Sequence, residues 1–246
     1  MLGFTFAGRH CSEFNICMKS KNRTMLPEPK LSYQEALNMD GSYDFSEVNP
    51  KNRICYKNRE IVVDCYIVST DLATLRNRLR SVASWLGRGE NQLIFDDEPN
   101  VYYLAKVLNR IDFNQAFKRG YFTIVFDCRP FAYYNTLSNI VRNDITFPCA
   151  FNLNNPGFET FPEIIIEGTF SNIELDKGTK RLIYSGSGEG TLTLNSEKMT
   201  ATLGNNNVLH LISGDFFTIT KGLNIIGIYG DTLNVSVTIR YRICYL

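Results

Sequence analysis

The chain has 246 residues, with 26 Lys and Arg against 25 Asp and Glu, 44% hydrophobic and 21% charged residues. That length suits one large or two ordinary domains, and the composition lies near the globular average, which excludes a disordered or collagen-like chain. No apolar run approaches the roughly 18–20 residues of a membrane span, the first residues lack the apolar core of a secretory signal, and a net charge of +1 argues against bulk nucleic-acid binding.

The N-terminal half reads as strands plus one helix, a β-sandwich with one α-helix. GFTFAGRH and FNICMKS form short strands around a turn, and Pro27 and Pro29 keep MLPEPK extended. From about 33 to 56 the chain does not fit a compact core. DGSYDFSEVNPKNR mixes turn residues with Tyr43 and Phe45, between two extended stretches. We read it as a protruding β-hairpin arm, whose exposed aromatic residues await a neighbour.

NREIVVDCYIV alternates, with Ile61, Val63, Cys65 and Ile67 on one face, and so predicts a strand. A helix follows, capped by Asp71, with an apolar stripe of Leu72, Leu75, Leu79, Val82 and Leu86 and a stop at Gly87. Arg76 and Arg80 lie one turn apart off that stripe. NQLIFDDEPNVYYLAKVL then reads as strand, acidic turn, strand, and GYFTIVFDC as another alternating strand.

Residues 1–142 carry 19 basic and 15 acidic residues; the remainder carries 7 and 10, and holds 11 of the 17 glycines. The Asn-, Pro- and Thr-rich stretch near 136–150 reads as a linker, which divides the chain into 1–140 and 141–246. The second part reads as a β-sandwich, with runs at EIIIEG, RLIY, GTLTLN, MTATL, VLHLI, FFTIT and NIIGIYG. The clearest strand closes the chain: Leu233, Val235, Val237, Ile239, Tyr241, Ile243 and Tyr245 alternate with polar residues. Thirteen extended residues would span roughly 43 Å, so 240–246 is expected to leave the sandwich and pair back onto the N-terminal domain.

Candidate chemistry is sparse. Asp96, Asp97 and Glu98 cluster without a calcium-loop pattern and read as a solvated turn, with charge available for arginines of another subunit. His10 beside Cys11 invites a nucleophile pair, but neighbours on an extended strand project oppositely. SGSGEG lacks the lysine of a phosphate cradle and reads as a loop between strands. The seven cysteines have no metal-site spacing and read as reduced, structural thiols of a chain made in a cytosol. No catalytic set, cofactor site or metal site emerges, so the chain is not read as an enzyme. Sandwich loops around Asn205 to Asn207 or Tyr184 leave a carbohydrate-binding module as the alternative, and a tail-associated hydrolase as a weaker one.

Five segments in order, GFTF-x-GRHCSEF, KSKNRTMLPEPK, DGSYDFS, YKNREIVVDCYI and SWLGRGE with LIFDDEPNVYYLAKV, resemble the N-terminal half of siphophage distal tail proteins. They cover about residues 3–130. The closing GLNIIGIYGDTLNVSVTIRYRICYL is similar to the galectin-like sandwich many of these proteins carry. The resemblance implies a mainly β, two-domain virion protein at the distal end of a phage tail: a homo-hexameric baseplate-hub ring. That ring would join the tail tube protein on one side and a tail-associated tip protein on the other. DNA would pass through its lumen without sequence-specific binding. The N-terminal domain would build the ring, its hairpin reaching the adjacent subunit, and the outer domain docks receptor-binding proteins in some relatives.

A heterologous, ring-closing contact uses different surfaces of one chain, and aromatic anchors often dominate interfaces. Met39, Tyr43 and Phe45 are therefore the expected anchors, with Arg76, Arg80, Asp96 and Asp97 setting register through charge.

Overall fold

In the computed structural model, which describes residues 2–49, 53–69, 71–112, 114–116 and 119–246, strands dominate and the chain divides into two units, 1–132 with 246, and 133–245. The expected mainly β fold with one α-helix and an arm is what forms. The stretch near 136–150 is not a linker: it is strand for most of its length.

The first unit begins with β1 (Phe4–Phe6) and β2 (Arg9–His10), a 3-10 turn at Cys11–Phe14, and β3 (Ile16–Arg23). Next come β4 (Pro29–Lys30), β5 (Tyr33–Glu35), β6 (Ser42–Asp44), β7 (Cys55–Tyr56) and β8 (Arg59–Val68). Helix α1 (Leu72–Leu86) separates β8 from β9 (Asn91–Phe95) and β10 (Val101–Val107). The unit closes with β11 (Asn114–Ala116) and most of β12 (Arg119–Tyr134).

Its main sheet runs in the order β2-β1-β9-β10-β12-β8-β3. Flat, six steps of about 4.8 Å would hold the two edge strands roughly 29 Å apart. Yet β2 ends at His10 and β3 starts at Ile16, and six residue steps reach at most about 20 Å. The sheet must therefore curl until its edges approach.

Trp85 fills the resulting core. It is 1% exposed, stacks on Phe14 at 4.4 Å and on Phe4 at 5.8 Å, and its indole N–H donates to the Phe6 carbonyl at 2.8 Å. Of the expected helix stripe, Leu75, Val82 and Leu86 are buried, but Leu72 is 49% exposed. Leu72 opens the helix, immediately after the Asp71 cap, and Trp85, outside the expected stripe, takes a core position.

The second unit holds β13 (Ser138–Ile145), β14 (Cys149–Asn155), β15 (Glu163–Lys177), β16 (Lys180–Asn195), β17 (Thr200–Leu203) and β18 (Asn206–Asn207). These are followed by β19 (Ile212–Gly214), β20 (Gly222–Tyr241) and β21 (Cys244–Tyr245). Three of them are long because they serve two layers. One part of β20, 235–241, pairs with β13 and the start of β15, whereas 222–228 pairs with β14 and the end of β15. Register shifts between Gly168 and Phe170 and between Ser171 and Glu174 mark the bend. Gly168, Gly190 and Gly230 there have φ of 136°, 124° and 147°, a region glycine adopts freely. Residues of both layers share one core, including Phe151, Ile166, Leu192, Phe217, Ile228 and Val237.

Several short runs thus belong to longer elements. RLIY, the SGSGEG glycines and GTLTLN are one strand, not two strands and a loop. NIIGIYG and the closing run are likewise one strand bent at Gly230. VLHLI is mainly a 3-10 turn, and FFTIT makes only an isolated bridge from Ile219 to Thr160. The expected alternation holds at Val235, Val237, Ile239 and Tyr241, all buried, but regular strand stops at Tyr241, so Cys244 rather than Tyr245 is buried. The side chain of Leu233 lies outside the described residues. Gly157 lets the Cys244 backbone pass closely: a Cβ there would collide with the Cys244 carbonyl oxygen.

Candidate assembly surface

The arm starts earlier than its sequence reading. Strands β4 and β7 form a short base, with Pro29 opposite Tyr56, and β5 and β6 form a second ribbon nearer the tip, with Gln34 opposite Tyr43. Among the described residues each ribbon pairs only with itself. Asn38 and Gly41, with φ of 62° and 84°, turn the chain between β5 and β6.

Local hydrogen bonds give the arm its shape. The Ser32 N–H donates to Ser46 Oγ at 2.9 Å, the Ser46 N–H to Asp44 Oδ1 at 2.8 Å, and Asn49 Nδ2 to the Arg53 carbonyl at 2.8 Å. These hydrogen bonds from Ser46 hold the Asp44 carboxyl below its ordinary pKa. At the root, Arg59 is buried; its guanidinium donates to the Thr24 and Pro130 carbonyls and lies 5.7 Å from the Tyr103 ring. Burial lowers its pKa, but arginine remains protonated from so high a starting value.

What the arm lacks is a hydrophobic partner. Every residue from 31 to 45 is exposed. Leu37 is 98% exposed, Met39 37%, Tyr43 55% and Phe45 42%, and the Tyr43 and Phe45 rings lie 6.3 Å apart. Leu31, Tyr33 and Val48 extend this apolar surface.

The remaining expected interface residues separate into two groups. Arg76 and Arg80 stand exposed on α1, and Arg80 donates to the Asn77 amide oxygen at 3.2 Å. Arg80 also lines an open pocket of about 360 Å³ with Arg9, Ser81, Ser84, Trp85 and Arg88. The acidic turn is different, because its charges are engaged at home. Asp96 accepts from the Gly3 N–H at 2.7 Å and lies 3.2 Å from His10 Nε2. Asp97 pairs with Lys21 and, at 3.5 Å, with Arg23; Glu98 meets Arg23 at 2.6 Å. Burial works to raise the Asp97 pKa, but the hydrogen bond and charge of Lys21, with Arg23, hold it below the ordinary carboxylate range.

The nucleophile candidate does not assemble. Cys11 Sγ is 4.0 Å from His10 Nε2, and burial pushes the thiol's pKa up, away from the thiolate a nucleophile needs. All seven cysteines are free thiols, and burial raises Cys128 to about 12. Among the described residues no three His, Cys, Asp or Glu side chains group to hold a metal, and no helix is long and apolar enough to cross a membrane. For sugar binding, Tyr184 is a correction: at 1% exposure it packs against Phe170 inside the core and offers no face to a ligand. Asn205 to Asn207 are exposed, but Asn207 Oδ1 is occupied by the Leu209 N–H at 2.9 Å.

Residues 10–128 match the family of the phage tail protein RIFT-related domain. They are a domain of that family. The resemblance to siphophage distal tail proteins is borne out. Among solved structures, the chain is similar to the crystal structure of the SPP1 Dit (gp 19.1) protein, titled a paradigm of the hub adsorption apparatus in phages infecting Gram-positive hosts. The match covers 100% of both chains with a TM-score of 0.81 at 14% identity, a likeness of fold. No curated protein matches the chain.

Proposed function

We propose that this protein is a phage tail protein, the structural subunit of a hub at the distal end of the tail, and that its work is assembly rather than turnover. Each protomer lays its arm on the next until a ring closes; the family resemblance supplies the number six. One side of the ring joins the tail tube protein and the other the tail-associated tip protein, and DNA leaves through the lumen without its bases being read. The second unit faces outward as a platform for a receptor-binding protein.

The observation that carries this reading is the arm. It pairs only with itself, and it exposes Leu37, Met39, Tyr43 and Phe45 together. Isolated two-stranded ribbons are marginal in water, and contiguous exposed apolar patches mark interaction sites. A second copy buries that patch with a different surface of the same chain, which is the geometry that closes rings.

Tyr43→Ala with Phe45→Ala tests the proposal. The double variant is expected to lose ring mass by light scattering, alone or with tube and tip proteins present, while circular dichroism shows an unchanged fold. A ring of undiminished mass would remove the arm from the assembly.

A further inference from the structure

We infer that the arginine-lined pocket beside α1 is the socket for the arm of the neighbouring copy, an inference that rests on the ring reading above. Residues 31–49 contain Glu35, Asp40, Asp44 and Glu47 and no lysine or arginine. All four carboxylates are exposed, so residues 31–49 carry four negative charges as well as the apolar patch, while Lys30, Lys51 and Arg53 flank them in sequence. Such a segment needs a cationic acceptor as much as a hydrophobic one.

The pocket has that character. Arg9, Arg80 and Arg88 line it with the hydroxyls of Ser81 and Ser84, and Arg76 extends the positive surface by one helical turn. From 72 to 86 the helix carries Arg76, Arg78 and Arg80 and no acidic residue. Among the pocket's arginines, Arg9 is paired with Glu13 at 2.9 Å and Arg80 meets only an amide oxygen. Arg88 is exposed and makes no ion pair among the described residues. Guanidinium groups grip carboxylates through paired N–H donors, and the Ser84 hydroxyl supplies a further one, that of Ser81 being donated to the Asn77 carbonyl. The obvious acidic rival, the Asp96–Glu98 turn, has Asp97 and Glu98 paired with Lys21 and Arg23 and Asp96 bonded to the Gly3 N–H and 3.2 Å from His10 Nε2. Glu35, Asp40, Asp44 and Glu47 make no ion pair among the described residues, and they belong to the segment whose apolar side chains need covering.

Charge reversal in the full-length chain tests the pairing by sedimentation. Arg80→Glu with Arg88→Glu, and separately Asp40→Arg with Glu47→Arg, should each weaken self-association at least roughly tenfold, because close interfacial charges become repulsive. Combining all four substitutions should recover most of the loss. Circular dichroism should show an unchanged protomer fold throughout, since all four side chains are exposed. Wild-type association in Arg80→Glu with Arg88→Glu, or no recovery in the combination, would overturn the socket while leaving an arm-built ring standing. Unchanged association together with loss of salt-dependent DNA retention would assign the pocket to nucleic acid instead, and so overturn the inference. A wild-type chain that stays monomeric even with tube and tip proteins would bring down the ring reading itself.

Discussion

The arm and strand β20 are both extended, and both carry large apolar side chains, yet they end in opposite environments. In β20 one edge is paired by β15 and the other by β13 or β14, and Ile226, Ile228, Val235, Val237 and Ile239 are buried against the opposing layer. The arm's strands have one paired edge each and no second layer, so Tyr33, Leu37, Tyr43 and Phe45 stay in water. Strand sequence alone does not decide burial; the number of covered edges and faces does. On the function proposed above, completing that ribbon falls to another molecule.

The largest expected effect would break a covered face like that of β20, here in the N-terminal core. Leu75→Asp puts a carboxylate where the side chain is 1% exposed, and it should cost about 4 kcal/mol or more and abolish cooperative melting of the N-terminal unit. Retained melting would show that the buried face of α1 is misassigned. Next comes Trp85→Ala, which should cost about 3–5 kcal/mol in denaturant titrations from lost packing and a lost hydrogen bond.

A smaller, pH-dependent effect belongs to Asp64. The Ser20 and Thr123 hydroxyls donate to its two oxygens at 2.7 Å each and depress its pKa. Its contribution is therefore full above the unfolded value of about 4 and is lost as pH falls through the lower folded value. Asp64→Asn should be less stable than wild type at neutral pH, with the two curves converging on acidification; parallel curves would contradict the assignment.

The smallest effect sharpens the contrast from the incomplete side. Tyr43→Ala with Phe45→Ala should change monomer stability by less than about 0.5 kcal/mol, as exposed positions usually do. A loss of 2 kcal/mol would mean that the arm packs on its own body.

Much of this organisation is legible in the chain because two kinds of local signal are strong. Alternation in NREIVVDCYIV and in 235–241 reports half-buried strands directly, and Asp71 with the Leu75, Val82 and Leu86 spacing reports the helix. The arm is legible by default, through turn residues and aromatics that fit no core pattern. Less visible are features set by tertiary context. The bends in β15, β16 and β20 look like strand ends because glycine is the residue of both turns and kinks, so single long strands read as pairs. Trp85 carries no mark of being the centre of the N-terminal core until Phe4, Phe6 and Phe14 are brought round it by the curl of the sheet. The private ion pairs of Asp96, Asp97 and Glu98 join residues more than seventy positions apart, a pairing that sequence proximity does not reveal.

The central claim is that residues 31–49 are completed by another copy of this chain. Electron microscopy of the purified protein, with tube and tip proteins supplied, tests it most directly through two-dimensional class averages of the wild type beside Tyr43→Ala with Phe45→Ala. The account predicts closed six-fold rings for the first and dispersed protomers for the second. Wild-type particles that remain single copies, with the arm folded against their own body, would contradict it.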